Sequence, residues 1–269
     1  MKNNFKIIDS HCHIYPDKIA VKASQNISEF YDGMQIQYDG TLECLIKHGT
    51  QAGVDHFVVQ AVATAPAQIT SINQFVAETV NASNNRITGL GALHPDSENI
   101  EEDIRLIKSL GLKGVKLHAD IQQIAIDDPR CYKIYEILEG NLPILMHTGD
   151  SRYNYSNPEN LIPVLETFKN LTVIGAHFGG WSVWEEAADK LTKYENLYVD
   201  TSSTFGFAGI DFVKKLLPKY NLDRILFGTD YPTWDFESEL AALFSLNLSD
   251  ENLRGILAEN CARVYGIVL

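Results

Sequence analysis

Short apolar runs alternate with longer segments of helical periodicity from one end of the chain to the other. The runs Lys6–His11, Phe57–Ala61, Ile87–Leu93, Gly114–His118, Ile144–His147, Thr172–His177, Leu197–Asp200 and Arg224–Gly228 read as strands. Between them lie helical patterns near Thr41–Ala52, Pro66–Ala82, Ile100–Leu110, Pro129–Glu139, Pro158–Phe168, Trp181–Tyr194, Gly209–Leu217 and Phe236–Leu246. Asp128 before Pro129 and Asn157 before Pro158 are good helix-start signals, because proline suits the first helical turn. Eight strands with eight intervening helices predict an α/β fold, a single closed parallel (β/α)8 TIM barrel, in one domain over residues 1–269. An open doubly wound sheet is the competitor, but no GxGxxG turn follows the first strand. Ser249 is expected to cap a closing helix through Leu253, Ile256 and Leu257. The segment Asp17–Tyr38 is polar and irregular for its length, and is expected to form a loop or small flap over the barrel mouth.

Composition narrows the function classes. Thirty-five acidic against 22 basic residues give a net charge of −13, which argues against nucleic acid or an anionic membrane as partner. It leaves a small-molecule substrate, because a local basic pocket can sit inside an acidic protein. The four cysteines, Cys12, Cys44, Cys131 and Cys261, show no CxxC spacing and read as reduced thiols of a cytoplasmic protein. The apolar stretch from Phe5 to Ile8 is too short for a signal segment, and no run elsewhere approaches a membrane span.

The chemistry gathers at strand ends. In Ile8-Asp9-Ser10-His11-Cys12-His13, alternation places Asp9, His11 and His13 on one face, with Ser10 and Cys12 on the other. Two imidazoles two residues apart on a rigid strand can reach one metal ion. His147, His177 and Asp230 each follow the apolar run of a later strand, at the C-terminal end where barrel enzymes keep their active sites. Five such residues at one end predict a metal site.

With that set in place, the chain resembles the amidohydrolase superfamily, whose signature is HxH, His, His and Asp on strands one, five, six and eight. Phe227-Gly228-Thr229-Asp230-Tyr231-Pro232, Ala176-His177-Phe178-Gly179-Gly180 and Asn260-Cys261-Ala262-Arg263 look like the branch that includes aminocarboxymuconate-semialdehyde decarboxylase. The resemblance implies one divalent metal ion, zinc first with Mn, Fe or Co as alternatives. It would be held by His11, His13, His147 and Asp230, with His177 on the metal-bound water or the substrate. The TatD-type nucleases are a related reading, but they place a ligand Glu on strand four, where this chain has Gly114-Val115-Lys116-Leu117-His118. Lys116 is expected as an anion-binding residue, as a rim lysine in solvent, or as the carbamate that bridges two metals in binuclear relatives. His118 is expected to contact substrate or make a structural hydrogen bond. Arg152, between Ser151 and Tyr153, is a candidate clamp for a substrate carboxylate, with a solvated loop that ties itself down as the other reading. Trp181 and Trp184 are expected to pack, and His94 to be structural.

These expectations add up to a metal-dependent hydrolase of a small ester, lactone or amide. Asp230 would take a proton from a metal-activated water and His177 would stabilise charge on the carbonyl. The alternative is a nonoxidative, metal-dependent decarboxylase of an unsaturated or aromatic carboxylic acid. The chain is short beside the decarboxylases of that branch, which favours hydrolysis. Assembly into a homo-oligomer is compatible with either.

Overall fold

The computed structural model describes residues 5–269. Its strands are β1 (Ile8–His13), β2 (His56–Gln60), β3 (Ile87–Gly89), β4 (Gly91–Ala92), β5 (Val115–Leu117), β6 (Ile144–Met146), β7 (Val173–Gly175), β8 (Leu197–Asp200) and β9 (Ile225–Leu226). All neighbours pair in parallel. β3 and β4 are halves of one stave that breaks at Leu90, whose N–H donates to Val59 O at 2.9 Å while Gly91 N–H donates to Gly114 O at 2.8 Å. The ring closes where Ser10 N–H donates to Phe227 O (2.8 Å) and His13 N–H to Tyr231 O (2.7 Å). The result is the expected (β/α)8 barrel.

Alternation divides the strand side chains between two cores. Ile8, Val58, Leu90, Leu145, Ile174 and Leu226 come from six staves and form one cluster with Ala258, Cys261 and Tyr265 of the closing helix. Phe57, Val59, Val115, Ile144, Met146 and Val173 belong to a larger cluster shared with the surrounding helices. Ser249 caps the closing helix as expected, accepting from Asn252 N–H at 3.3 Å. That helix then widens into π-type turns over Gly255–Glu259.

One expectation fails. Residues Asp17–Phe30 form a helix, α1, and not an irregular loop, although the segment does lie over the barrel mouth. Its apolar residues Ile19, Ala23, Ile27 and Phe30 recur at helical spacing, but small and polar residues dilute the stripe. The stripe also faces a cavity instead of the core, so the usual signal of dense apolar periodicity is weak. Among the described residues, no helix is long and apolar enough to cross a membrane.

Candidate metal centre and active site

His11 and His13 stand at the C-terminal end of β1, where the pairing register with β2 shifts between Asp9 and Cys12. Their Nε2 atoms lie 3.2 Å apart. Asp230 Oδ1 lies 3.4 Å from His11 Nε2 and 3.6 Å from His13 Nε2. Strict alternation would bring Asp9 with them. Instead its carboxylate accepts from the N–H of His11 and from the N–H and Oγ–H of Thr229, at 3.1, 3.0 and 2.6 Å. Cys12 is fully buried among the outer core residues, on the far side from the histidine pair. Gly228 is required by the meeting of the first and last staves, since a Cβ there would stand 2.9 Å from His11 Cβ. Asp230 follows in a left-handed conformation (φ 61°), as does His177 (φ 59°). A non-glycine residue rarely adopts this region, and such residues concentrate at functional sites.

Carboxylates and hydroxyls fix the ring orientations. His11 Nδ1–H donates to Asp200 Oδ2 at 2.8 Å, with both side chains fully buried. That bond leaves His11 Nε2 as the lone-pair atom facing His13 and Asp230. Asp200 Oδ1 accepts from the N–H of His177 (3.0 Å) and Ser202 (3.1 Å) and from Ser202 Oγ. Burial opposes ionisation of Asp200, yet His11 and Ser202 hold its carboxyl well below the usual range. Asp230 is balanced similarly. Burial would raise it, the facing His11 and His177 offset that, and its Oδ2 accepts from Ser203 Oγ–H at 2.6 Å. Burial keeps the His13, His118, His147 and His177 rings below the ordinary histidine value, so they are neutral near pH 7.

The group therefore fits a divalent cation: two imidazole nitrogens and one ionised carboxylate, with a second carboxylate behind His11. His147 stands beside this group and not within it. Its Nδ1 lies 3.1 Å from His177 Nε2, its Nε2 lies 3.8 Å from Asp120 Oδ2, and that buried Nε2 has no hydrogen-bond partner. His177 Nδ1–H donates to Ser202 O at 3.0 Å.

These residues floor a cavity of about 520 Å³, within the range of small-molecule sites. Lys116 and His118 line it as well. Lys116 is buried, with Nζ 3.4 Å from His11 Nε2, and burial brings its ammonium down to about 8 against the opposing pull of Asp230 and Asp200. His118 Nδ1 accepts from Ile121 N–H, so its Nε2–H donates to Tyr31 Oη at 3.2 Å, and its ring stacks on His147 with centroids 4.1 Å apart.

Arg152 does not take the place expected of it. It is not part of the cavity lining, and its guanidinium is spent on the protein's own groups. Nε–H and Nη2–H donate to the two oxygens of Asp150 at 3.0 and 2.8 Å, and Nη1–H donates to Phe30 O at 2.7 Å. The rings of Phe30, Tyr31, Tyr153 and Trp181 surround it, all within 5.3 Å of Cζ. Arg152 thus ties the end of α1 to the loop after β6 in place of clamping a substrate. Trp181 and Trp184 pack against Phe207 and Phe212 respectively.

Three supporting residues escaped sequence reasoning: Asp200, Ser202 and Ser203. Asp200 had the same positional signal as His147 and His177, since it ends an apolar run that reads as a strand. The two serines carry no signal of their own beyond following it.

Comparison with known proteins agrees with this geometry. A protein-family model described as Amidohydrolase matches residues 8–267. Among solved structures, an uncharacterized TIM-barrel protein from Bordetella bronchiseptica superposes with a TM-score of 0.77 at 21% identity, over 97% of this chain and 99% of the other. 5-Carboxyvanillate decarboxylase from Sphingomonas paucimobilis gives 0.74 at 15% identity, over 98% and 100%. A Pseudomonas putida protein proposed to be a 2-pyrone-4,6-dicarboxylic acid hydrolase gives 0.72 at 18%, over 99% and 100%. The decarboxylase is spanned in full, so chain length does not separate the two activities after all. With the match running over almost its entire length, the chain belongs to the amidohydrolase family.

Proposed function

We propose that the protein is a metal-dependent hydrolase that opens a small organic ester, lactone or amide. The observation that carries this reading is an ionised Asp230 held against His11 and His13 at the floor of a deep cavity. In this proposal His11, His13, Asp230 and His147 hold one divalent ion, zinc before manganese, iron or cobalt. His147 is included as the resemblance implies: its ring is neutral and stands beside the group, with its unpartnered Nε2 turned to Asp120 in this structure. When bound, such an ion lowers the pKa of a coordinated water towards about 7 and so supplies hydroxide near neutrality. Asp230 accepts the proton of the attacking water and returns it to the leaving group, a role its lowered pKa permits because the carboxylate is free of protons at neutral pH. With Nδ1–H committed to Ser202 O, neutral His177 offers the lone pair of Nε2. That lone pair can accept a hydrogen bond from the attacking water and so orient it towards the carbonyl.

Lys116 favours a second reading. Among the described lining residues it is the one lysine or arginine, and it could hold a substrate carboxylate, as decarboxylation of an unsaturated or aromatic acid requires. Product analysis on the metal-loaded protein separates the two. A new acid group without loss of carbon supports hydrolysis, and release of CO2 from a carboxylic acid overturns it.

A further inference from the structure

Above its ionisable floor, the cavity changes character. Helix α1 presents Ile19, Ala23, Ile27 and Phe30 to it, and the helix Ile69–Ala82 presents Ile72 and Phe75. Each set follows helical spacing, so two apolar stripes line one chamber. The helix Ile69–Ala82 spends its other face, Ile69, Val76 and Ala77, on the protein core. Ile27, Phe30, Ile72 and Phe75 remain only half-buried, because the surface they expose faces the chamber. The polar lining residues of the walls, including Asn26, Thr64, Gln68 and Ser71, are all uncharged. Among the described residues, every Asp, Lys or His that touches the cavity belongs to the floor cluster. Arg152, the cation best placed by sequence to greet a second anion, is consumed by Asp150.

We propose that the substrate carries an extended uncharged apolar group, alkyl or aryl, lodged between these two stripes with its reactive carbonyl at the floor, and no second anionic group beyond it. This deepens the hydrolase reading, naming the substrate class for the same site. A charge on the tail would lose its hydration against walls that offer no counter-ion. The apolar tail gains by leaving water, at roughly fourfold in affinity for each methylene buried. Ile72 and Phe75 are then specificity-determining residues, with Ile19, half exposed at 50%, at the rim where the tail enters.

The test measures binding by calorimetry, so it does not depend on turnover. The probes are straight-chain monocarboxylates from butanoate to decanoate, and the α,ω-dicarboxylates of matching length. Affinity is expected to rise about fourfold per added methylene until the chamber is full, and each dicarboxylate to bind at least tenfold more weakly than its monocarboxylate. Ile72→Asp or Phe75→Asp should abolish the dependence on chain length, and Ile72→Ser or Phe75→Ser should reduce it if an aspartate variant fails to fold. A flat series, no binding by decanoate, equal binding of the dicarboxylates, or an unchanged slope in all the variants overturns the proposal. Failure of the hydrolase reading would show elsewhere, as CO2 release or no product from any ester, lactone or amide.

Discussion

Asp200 offers the sharpest test of how the metal centre is built. Asp200→Asn keeps the shape of the side chain and can keep the acceptor at Oδ1, which serves the N–H groups of His177 and Ser202 and the Ser202 hydroxyl. What changes is the atom 2.8 Å from His11 Nδ1, where an amide N–H now faces an imidazole N–H. Two donors cannot share that contact, so His11 must shift its proton to Nε2. Nε2 is the atom turned towards His13 and Asp230, and a protonated nitrogen cannot ligate. Loss of the carboxylate behind a ligating histidine costs about 10–100-fold in metal affinity, or about 1.4–2.7 kcal/mol. The metal-free fold should suffer less, by about 1–2 kcal/mol, since one charge-assisted hydrogen bond is replaced and not orphaned. Competition of the purified protein with a chromogenic chelator for Zn²⁺ measures the first quantity, and the melting temperature in excess EDTA measures the second. An affinity within twofold of wild type would refute the orientation argument. A metal-free variant that no longer melts cooperatively would show instead that Asp200 serves the fold.

Three further outcomes are expected. His177→Asn should lower turnover by about 10²–10⁴ while zinc content stays near wild type, whereas His11→Ala loses both; equal metal loss in the two would make His177 a ligand. Glu239 is buried with Oε2 unpartnered, and burial, then the nearby Asp9, Asp230 and Asp235, push its carboxyl well above the usual range. The folded state therefore holds this proton more tightly than the unfolded chain, so stability is fullest in acid and falls as pH rises through the raised value. Glu239→Gln should match wild type near about pH 4 and exceed it increasingly above, read as urea midpoints; parallel pH curves would contradict this. Arg152→Met strands the buried Asp150 and should cost about 2 kcal/mol, less than a fully buried pair because the guanidinium is partly exposed. It should also speed hydrogen exchange in residues 17–30, and unchanged exchange there would show that Arg152 does not secure α1.

Much of the fold could be read before any coordinates, and the reason lies in how barrel strands are buried. A stave covered on both sides is a short apolar run whatever its neighbours are, so its existence and type survive in one sequence. Its ends are less legible. The run Thr172–His177 reads as one strand, but pairing stops at Gly175 and His177 has already turned into a left-handed conformation. The register shift between β1 and β2 is also invisible, because register belongs to the pair of strands and not to the residues of β1 alone. Helix α1 was hidden for another reason: its apolar stripe covers a cavity.

The site divides along the same physical line. His11, His13, His147, His177 and Asp230 were legible because position along a strand places a side chain at the barrel mouth without reference to any partner. Arg152 could not be assigned between clamp and loop tie because that depends on a partner, and the partners it meets are Asp150 two residues away and the carbonyl of Phe30 from the far side of the mouth. Asp200 was passed over for the converse reason. As a carboxylate at a strand end it had the position of a ligand, yet its work is done through His11, 189 residues earlier in the chain. A strand pattern states what each stave offers to the centre. Which of those groups neutralise one another, and which remain free for a metal or a substrate, is decided across the barrel between staves remote in sequence. The walls of this cavity lack charge for a simpler reason: among the described residues, the faces that α1 and the helix Ile69–Ala82 turn to it hold only apolar and uncharged polar side chains, although the chain as a whole carries −13.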